Sequence, residues 1–197
     1  MASAVARVPS IKATGFQSAA DDLARLVADG RLSRADLEAR LQSSDFPYLD
    51  KALAAPSWVP IETYVRVGAI LVEIEGGGDP RAYFRACGLR AGERLHKAGI
   101  YKQFDASIDA WGKRAGTLAT TISAVLYNFT RWSFEARKDR QGFEITVEDA
   151  LELPDYLRFV GEGLIEYMSR QMSPGRKPRV SSERVTPDKI VYVVKVE

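Results

Sequence analysis

At 197 residues, 46% apolar and 27% charged, the chain has the composition of an ordinary globular protein and not that of a disordered or fibrous one. Lys and Arg number 28 against 26 Asp and Glu, and a balance of +2 gives no reason to expect a nucleic acid or a membrane surface as partner. One cysteine, Cys87, excludes an intramolecular disulfide, and one histidine, His96, excludes sites built on two imidazoles, which removes most catalytic zinc and non-haem iron centres.

The first residues lack the apolar core of a signal peptide, being interrupted by Arg7, Pro9 and Lys12. The longest apolar run, Gly68 to Val72, is far short of the ~20 residues that span a bilayer. A cytoplasmic protein without a membrane span is therefore expected. Residues 1–15 show no periodicity and read as a flexible or loosely docked lead. Leu23, Leu26 and Val27 then repeat at helical spacing, and Gly30 caps a helix from Ser18 to Asp29. Ser33 opens a second short helix, because Ser-Arg-Ala-Asp places an acid three residues after the cap. The hairpin these two form is too weakly apolar to stand alone.

A connector with a short helix around Tyr48 to Ala54 leads to Pro60, which suits the first position of a helix because its missing N–H would be unpaired there. Ile61, Tyr64, Val65, Gly68, Leu71 and Val72 give that helix a long apolar face, ended by Gly76-Gly77-Gly78. Asp79-Pro80 starts the next helix, Arg81 to Ala98, whose apolar face is Phe84, Cys87, Gly88, Ala91, Leu95 and Ala98. Ser107 to Lys113 reads as a further helical piece and Leu118 to Leu126 as a helix rich in Ala and Thr. The period then changes to two. Trp132, Phe134 and Ala136 alternate with charged or polar neighbours, as do Phe143, Ile145 and Val147, with a hairpin loop between. Pro154 begins a strong helix to Met172, a weak strand surrounds Val180, and Lys189 to Glu197 closes the chain as a strand apolar on both faces, hence expected to be covered on both. The architecture predicted is α+β: a helical N-terminal half packed on a four-stranded antiparallel sheet of β-β-α-β-β order. Residues 1–44 would form the lead and helical hairpin, and 45–197 a single ligand-binding-like domain.

Few residues offer chemistry. His96 lies at the border of its helix's apolar face beside Lys97, and Cys87 lies on that face with no second imidazole to activate it. Asp105 and Asp109 stand one turn apart, as a paired-acid site or as a solvated face. Glu162 sits between Gly161 and Gly163; a helical Gly costs about 1 kcal/mol relative to Ala, so the pair marks close packing or room kept for something. The glycine run at 76–78 lacks the Lys-Ser/Thr of a phosphate loop. Arg170, Arg176, Lys177 and Arg179 form a basic run that could touch phosphate or simply be a solvated turn. Gly88 and Gly92 make a small-residue pair, suited to close approach by a helix, a second subunit or a ligand.

Together, the helix opening Trp58-x-Pro60 with Tyr64, the Gly88/Gly92/Leu95 motif and the β-β-α-β-β order with a glycine pair in the late helix resemble a myxobacterial paralogous family of unknown function. That family is similar to the group holding the 4-vinyl-reductase-like domain, haem-NO-binding-associated domains and the TRAPP vesicle-tethering subunits. The resemblance spans about Asp45 to Glu197. It implies helices on a four-stranded sheet, often dimeric, with an elongated apolar pocket in a regulatory or sensory role. The late cysteines of the 4-vinyl-reductase-like domains are absent here, so their metal is not carried over; Cys87 matches the place where TRAPP-type relatives bear an acyl chain.

The function expected is a non-enzymatic binding or sensor domain, without cofactor or metal, whose hydrophobic small-molecule pocket is lined by Phe84, Cys87, Gly88, Ala91, Gly92, Leu95, Gly163 and Tyr167. The alternatives are a homodimeric interaction module and an enzyme using Glu162, Asp105 or Asp109, with haem sensing through His96 a subsidiary reading.

Overall fold

Pairing between segments distant in sequence, which no local pattern reveals, organises the N-terminal part of the chain. The computed structural model describes residues 8–97, 99, 111–137, 142–172, 175 and 177–196, the side chains of 111–114 and 196 excepted. It divides into two compact units, Met1–Asp79 with Val125–Phe129, and Pro80–Ala124 with Thr130–Glu197. Residues 44 and 45 both lie in the first.

In the first unit, β1 (Ser10–Lys12) pairs antiparallel with β2 (Trp58–Pro60), Ile11 opposite Val59. Residues 10–12, expected within a loose lead, are therefore a strand, and α1 begins earlier than expected, at Ala13 (Ala13–Ala28). The Asn128 side chain fastens this strand, accepting from the Ser10 N–H at 2.8 Å and donating to the Val8 carbonyl at 3.1 Å. Phe16, Leu23 and Leu26 of α1 are buried, as are Tyr64, Val67, Ile70 and Leu71 of α3 (Ile61–Glu75), and the Phe16 and Tyr64 rings meet edge to face at 5.7 Å. Between them α2 (Arg34–Arg40) opens with the capping box its sequence predicts: Ser33 Oγ accepts from the Asp36 N–H at 3.1 Å and Asp36 accepts from the Ser33 N–H at 2.9 Å. The connector holds a single 3-10 turn, Phe46–Tyr48, in place of the expected helix to Ala54. Pro60 closes β2 and precedes α3 instead of being its first residue, since the β1–β2 ladder holds it extended.

Asp45 ties this unit together. It is fully buried, accepts from Thr63 Oγ1 at 2.6 Å and the Gln42 N–H at 2.9 Å, and accepts from Nε and Nη2 of the Arg66 guanidinium, each at 2.7 Å. Burial pushes its carboxyl up, but the Arg66, Thr63 and Gln42 donors outweigh that and hold it below the usual carboxylate range.

The second unit carries α4 (Pro80–Lys97), α5 (Trp111–Leu126, its last residues belonging to the first unit) and a sheet of β3 (Arg131–Ala136), β4 (Gly142–Glu148), β5 (Pro178–Thr186) and β6 (Lys189–Val196). All neighbours are antiparallel in the order β3-β4-β6-β5, and α6 (Leu157–Met172) connects β4 to β5. This is the β-β-α-β-β arrangement of an α+β fold with a helical N-terminal half. Phe143, Ile145 and Val147 of β4, with Ile190, Tyr192 and Val194 of β6, are buried on the face toward α6. The opposite face of β6 differs from expectation: Val191 and Val193 stay half-exposed, flanked by Glu144, Thr146 and Glu183. β6 is central by pairing, and only one of its apolar faces is covered. By contrast α6 is buried nearly all round from Glu162 to Ser169, between α4 and the sheet.

Asp45→Asn removes the charge that Arg66 faces while keeping the side chain's shape. Breaking a buried pair costs about 3 kcal/mol or more, and urea denaturation at neutral pH should register a loss of roughly that size. Because the folded carboxyl titrates below the unfolded one, its stabilisation is complete above about pH 4 and is lost as pH falls further. The wild-type midpoint should drop across that window more steeply than the variant's.

Candidate functional site

The glycines of α4 and α6 bring two helices closer than any other side chain would permit. A Cβ on Gly88 would stand 2.1 Å from the Val160 carbonyl oxygen, and one on Gly163 would stand 2.1 Å from the Arg85 carbonyl oxygen. The two contacts are reciprocal, each glycine's hydrogen pointing at a backbone oxygen of the other helix, a geometry that adds weak Cα–H···O attraction. One turn on, Gly92 receives Tyr167, whose Cβ lies 2.7 Å and ring Cγ 2.8 Å from where the glycine's Cβ would be. Gly161, on the other side of α6, makes room for the Tyr192 ring. Phe84, at the start of this seam, stacks on Tyr156 at 4.7 Å and 17°. The Tyr156 hydroxyl is buried with no hydrogen-bond partner among the described residues, and burial raises its pKa.

Close approach also places charges in the interior. Arg85, facing α6, donates through Nη1 to Glu162 at 3.1 Å and to the Val180 carbonyl at 3.3 Å, and through Nη2 to Glu166. Glu166 also accepts from Arg170, one turn along α6. Glu162, fully buried, accepts from the Ser182 N–H at 2.9 Å and Ser182 Oγ at 2.7 Å, with Arg81 3.5 Å away. Two carboxylates in the middle of a helix thus meet donors from α4, β5 and their own helix, which is the condition for keeping them charged there.

The other flank of α4 is different. Cys87, Ala91 and Leu95, at four-residue spacing, are half-buried and form an apolar stripe beside the glycine row. The Cys87 sulfur lies 3.2 Å from Arg90 Nη2. His96 is exposed in the last turn of α4, its Nδ1 3.4 Å from the Tyr167 hydroxyl.

No protein-family model and no curated protein matches the sequence. Solved structures do match the fold. An H-NOX protein from S. oneidensis in the Fe(II)NO ligation state superposes with a TM-score of 0.62 at 10% identity, over 95% of this chain and 99% of that one. A mutant H-NOX protein from K. algicida, Fe(II) and unliganded, gives 0.63 at 9% identity, over 95% of this chain and 97% of that one. The chain shares the H-NOX fold. That is a distant relationship of fold, and the narrower likeness to a myxobacterial paralogous family finds no support in these matches.

Of the residues expected to line a pocket, Phe84, Gly88, Gly92, Gly163 and Tyr167 come together along the α4–α6 seam, while Cys87, Ala91 and Leu95 share the half-buried flank. Asp105, Asp109, Ala98 and Arg176 lie outside the described residues, as do the side chains of Trp111 and Lys113. Among the described residues no group of three or more His, Cys, Asp or Glu is placed to hold a metal ion, and no helix is long and apolar enough to cross a membrane. Sequence reading singled out Glu162 but missed Arg85, Glu166 and Ser182. The signal for Glu166 was present, since Glu162, Glu166 and Ser169 form a polar stripe at helical spacing; only the burial of all sides of α6 distinguishes it from a solvated face.

Gly88→Ala forces a methyl into a backbone carbonyl that cannot step aside. Overpacking of this kind costs about 1–3 kcal/mol, and chemical denaturation should place the loss at or above the top of that range. Tyr156→Phe should be neutral or stabilising in the same assay, because the hydroxyl it deletes is buried without a partner.

Proposed function

We propose that this chain is a non-enzymatic cytoplasmic sensor domain that binds an apolar small molecule along the Cys87–Ala91–Leu95 flank of α4. The observation that carries the reading is the division of labour on this helix. The row Phe84, Gly88 and Gly92 faces α6, and beside it runs a second apolar row, Cys87, Ala91 and Leu95, that is half-buried. Gly163 and Tyr167 act from behind, fixing the position of α4 and so the shape of the wall. The fold shared with H-NOX proteins, two of which carry iron(II) in their solved structures, supports a sensory role for such a wall. A single cysteine, which can form no disulfide within the chain, supports a reducing compartment.

An iron-bearing haem does not fit the imidazole this chain provides. His96 is its only histidine, and it is exposed at the end of α4 with Nδ1 3.4 Å from the Tyr167 hydroxyl. An axial ligand needs an enclosed face on which the macrocycle can lie. Titration with haemin should therefore give no Soret shift that His96→Ala abolishes.

Native mass spectrometry of freshly purified protein, followed by thermal-shift screening with fatty acids and aromatic compounds, tests the proposal. A ligand at one hundred times its Kd stabilises the native state by about 2.7 kcal/mol. Ala91→Trp, which fills the flank, should abolish the shift while leaving the unliganded Tm close to wild type. If no compound co-purifies and none stabilises the protein, the reading fails. A homodimeric module is the second reading, favoured by Val191 and Val193 on the uncovered face of β6; a monomeric mass by light scattering at high protein concentration overturns it.

A further inference from the structure

The two edges of the four-stranded sheet are built differently. β5, one edge, starts at Pro178 and loses its regular register at a bulge between Arg184 and Thr186. Its outward backbone is also occupied. Arg85 donates to the Val180 carbonyl at 3.3 Å, the Ser182 N–H donates to Glu162 at 2.9 Å, and Arg158 donates to the Ser182 carbonyl. Proline, a bulge and a covered backbone are the devices that keep an edge strand from pairing with another chain.

β3, the other edge, has neither proline nor bulge. Its 6 residues oppose β4 in unbroken register, from Arg131↔Glu148 to Ala136↔Phe143. Just beyond, the Arg137 N–H donates to the Gly142 carbonyl at 3.1 Å, which fixes the alternation of the ladder. Arg131, Ser133 and Glu135 turn their backbone groups toward β4, whereas Trp132, Phe134 and Ala136 turn theirs outward. Among the described residues no hydrogen bond meets the Phe134 or Ala136 backbone from that side. The strand also lies at the surface: Arg131, Ser133, Glu135 and Ala136 are exposed, with Trp132 and Phe134 half-buried between them. Glu135 stands opposite Glu144, a like-charge pair that favours a cation on its other side.

We propose that β3 pairs antiparallel with β3 of a second copy of this chain, about a two-fold axis through Ser133. The strand's own sequence selects both occupant and register. Outward groups must meet outward groups, so residues 132, 134 and 136 oppose even-numbered residues of the second copy. With the axis at Ser133, Arg131 opposes Glu135 of the second copy and Trp132 opposes Phe134, and symmetry supplies each pair twice. Opposite charges and aromatic rings set across two strands both favour pairing. The neighbouring registers lose this match. An axis at Phe134 sets Arg131 against Arg137, one at Glu135 sets that acid against itself, and one at Trp132 sets Glu135 against Phe129. The pairing uses a sheet edge and not the Val191–Val193 face, and it does not rest on the apolar-ligand reading.

Sedimentation velocity of the full chain over a dilution series tests the pairing. Wild type should run as a dimer that dissociates reversibly on dilution. Glu135→Arg places two cations against the two Arg131 side chains, and Arg131→Glu places two acids against the two Glu135 side chains. Each variant alone should associate about ten-fold or more weakly than wild type. An equal mixture of the two restores opposite charges at every contact and should restore the dimer, which loss of fold in either variant could not do. Val191→Lys should leave the dimer intact. A wild type that stays monomeric at the highest concentration overturns the proposal, as does a mixture no more associated than its components. Because Arg131→Glu also gives up the Asp149 ion pair, Glu135→Arg stands as a test by itself: dimerisation equal to wild type overturns the register. Dissociation by Val191→Lys, with Glu135→Arg unaffected, assigns the dimer to the sheet face instead of the edge.

Discussion

The reciprocal contact of Gly88 and Gly163 is the constraint on which the second unit depends. A single Cβ at either position would meet a backbone oxygen at 2.1 Å, so the two helices stand at a separation only glycine allows. At that separation Arg85, three residues before Gly88, reaches both Glu162 and Glu166 on either side of Gly163. A wider crossing would take Arg85 from both, leaving the fully buried Glu162 to the Ser182 donors alone, at a penalty of several kcal/mol, and Glu166 to Arg170. Steric closeness and charge pairing are therefore one device, and neither makes sense without the other.

This device also separates two kinds of surface on one helix. Toward α6, α4 spends its small residues on packing and Arg85 on the buried acids. Beside them it keeps Cys87, Ala91 and Leu95 half-buried. Toward the turn after α6, the same buried acids hold Arg85 and Arg170 at a cavity wall. A seam that tight moves as a unit, since packed interiors have discrete arrangements instead of a continuous range.

The first unit obeys a similar rule with different parts. Asp45 gathers Gln42, Thr63 and Arg66 around one buried carboxylate, fixing the start of α3 to the connector before it. Asn128 fastens β1 from the far end of α5. In both units a single buried or half-buried polar side chain, fully partnered, sets the position of a segment that its own sequence leaves undetermined.

The sequence by itself determined what local physics controls. Period-two alternation placed β3 and β4, the Ser33–Asp36 box started α2, the apolar spacing of Ile61 to Val72 placed α3, and the order of elements implied the α+β class. It also marked Gly88, Gly92, Glu162 and the basic run as unusual without deciding their use. Tertiary structure decided the rest, for reasons no local window contains. Whether Ser10–Lys12 is a lead or a strand depends on a partner at Trp58–Pro60. Whether Gly88 opens space or closes it depends on Gly163 arriving opposite. Glu162 and Glu166 have the spacing of a solvated face, and only the helix and sheet on either side make them buried anchors. Arg85, Arg170, Lys177 and Arg179 come from two helices, a connection and a strand, and only the fold puts them around one cavity.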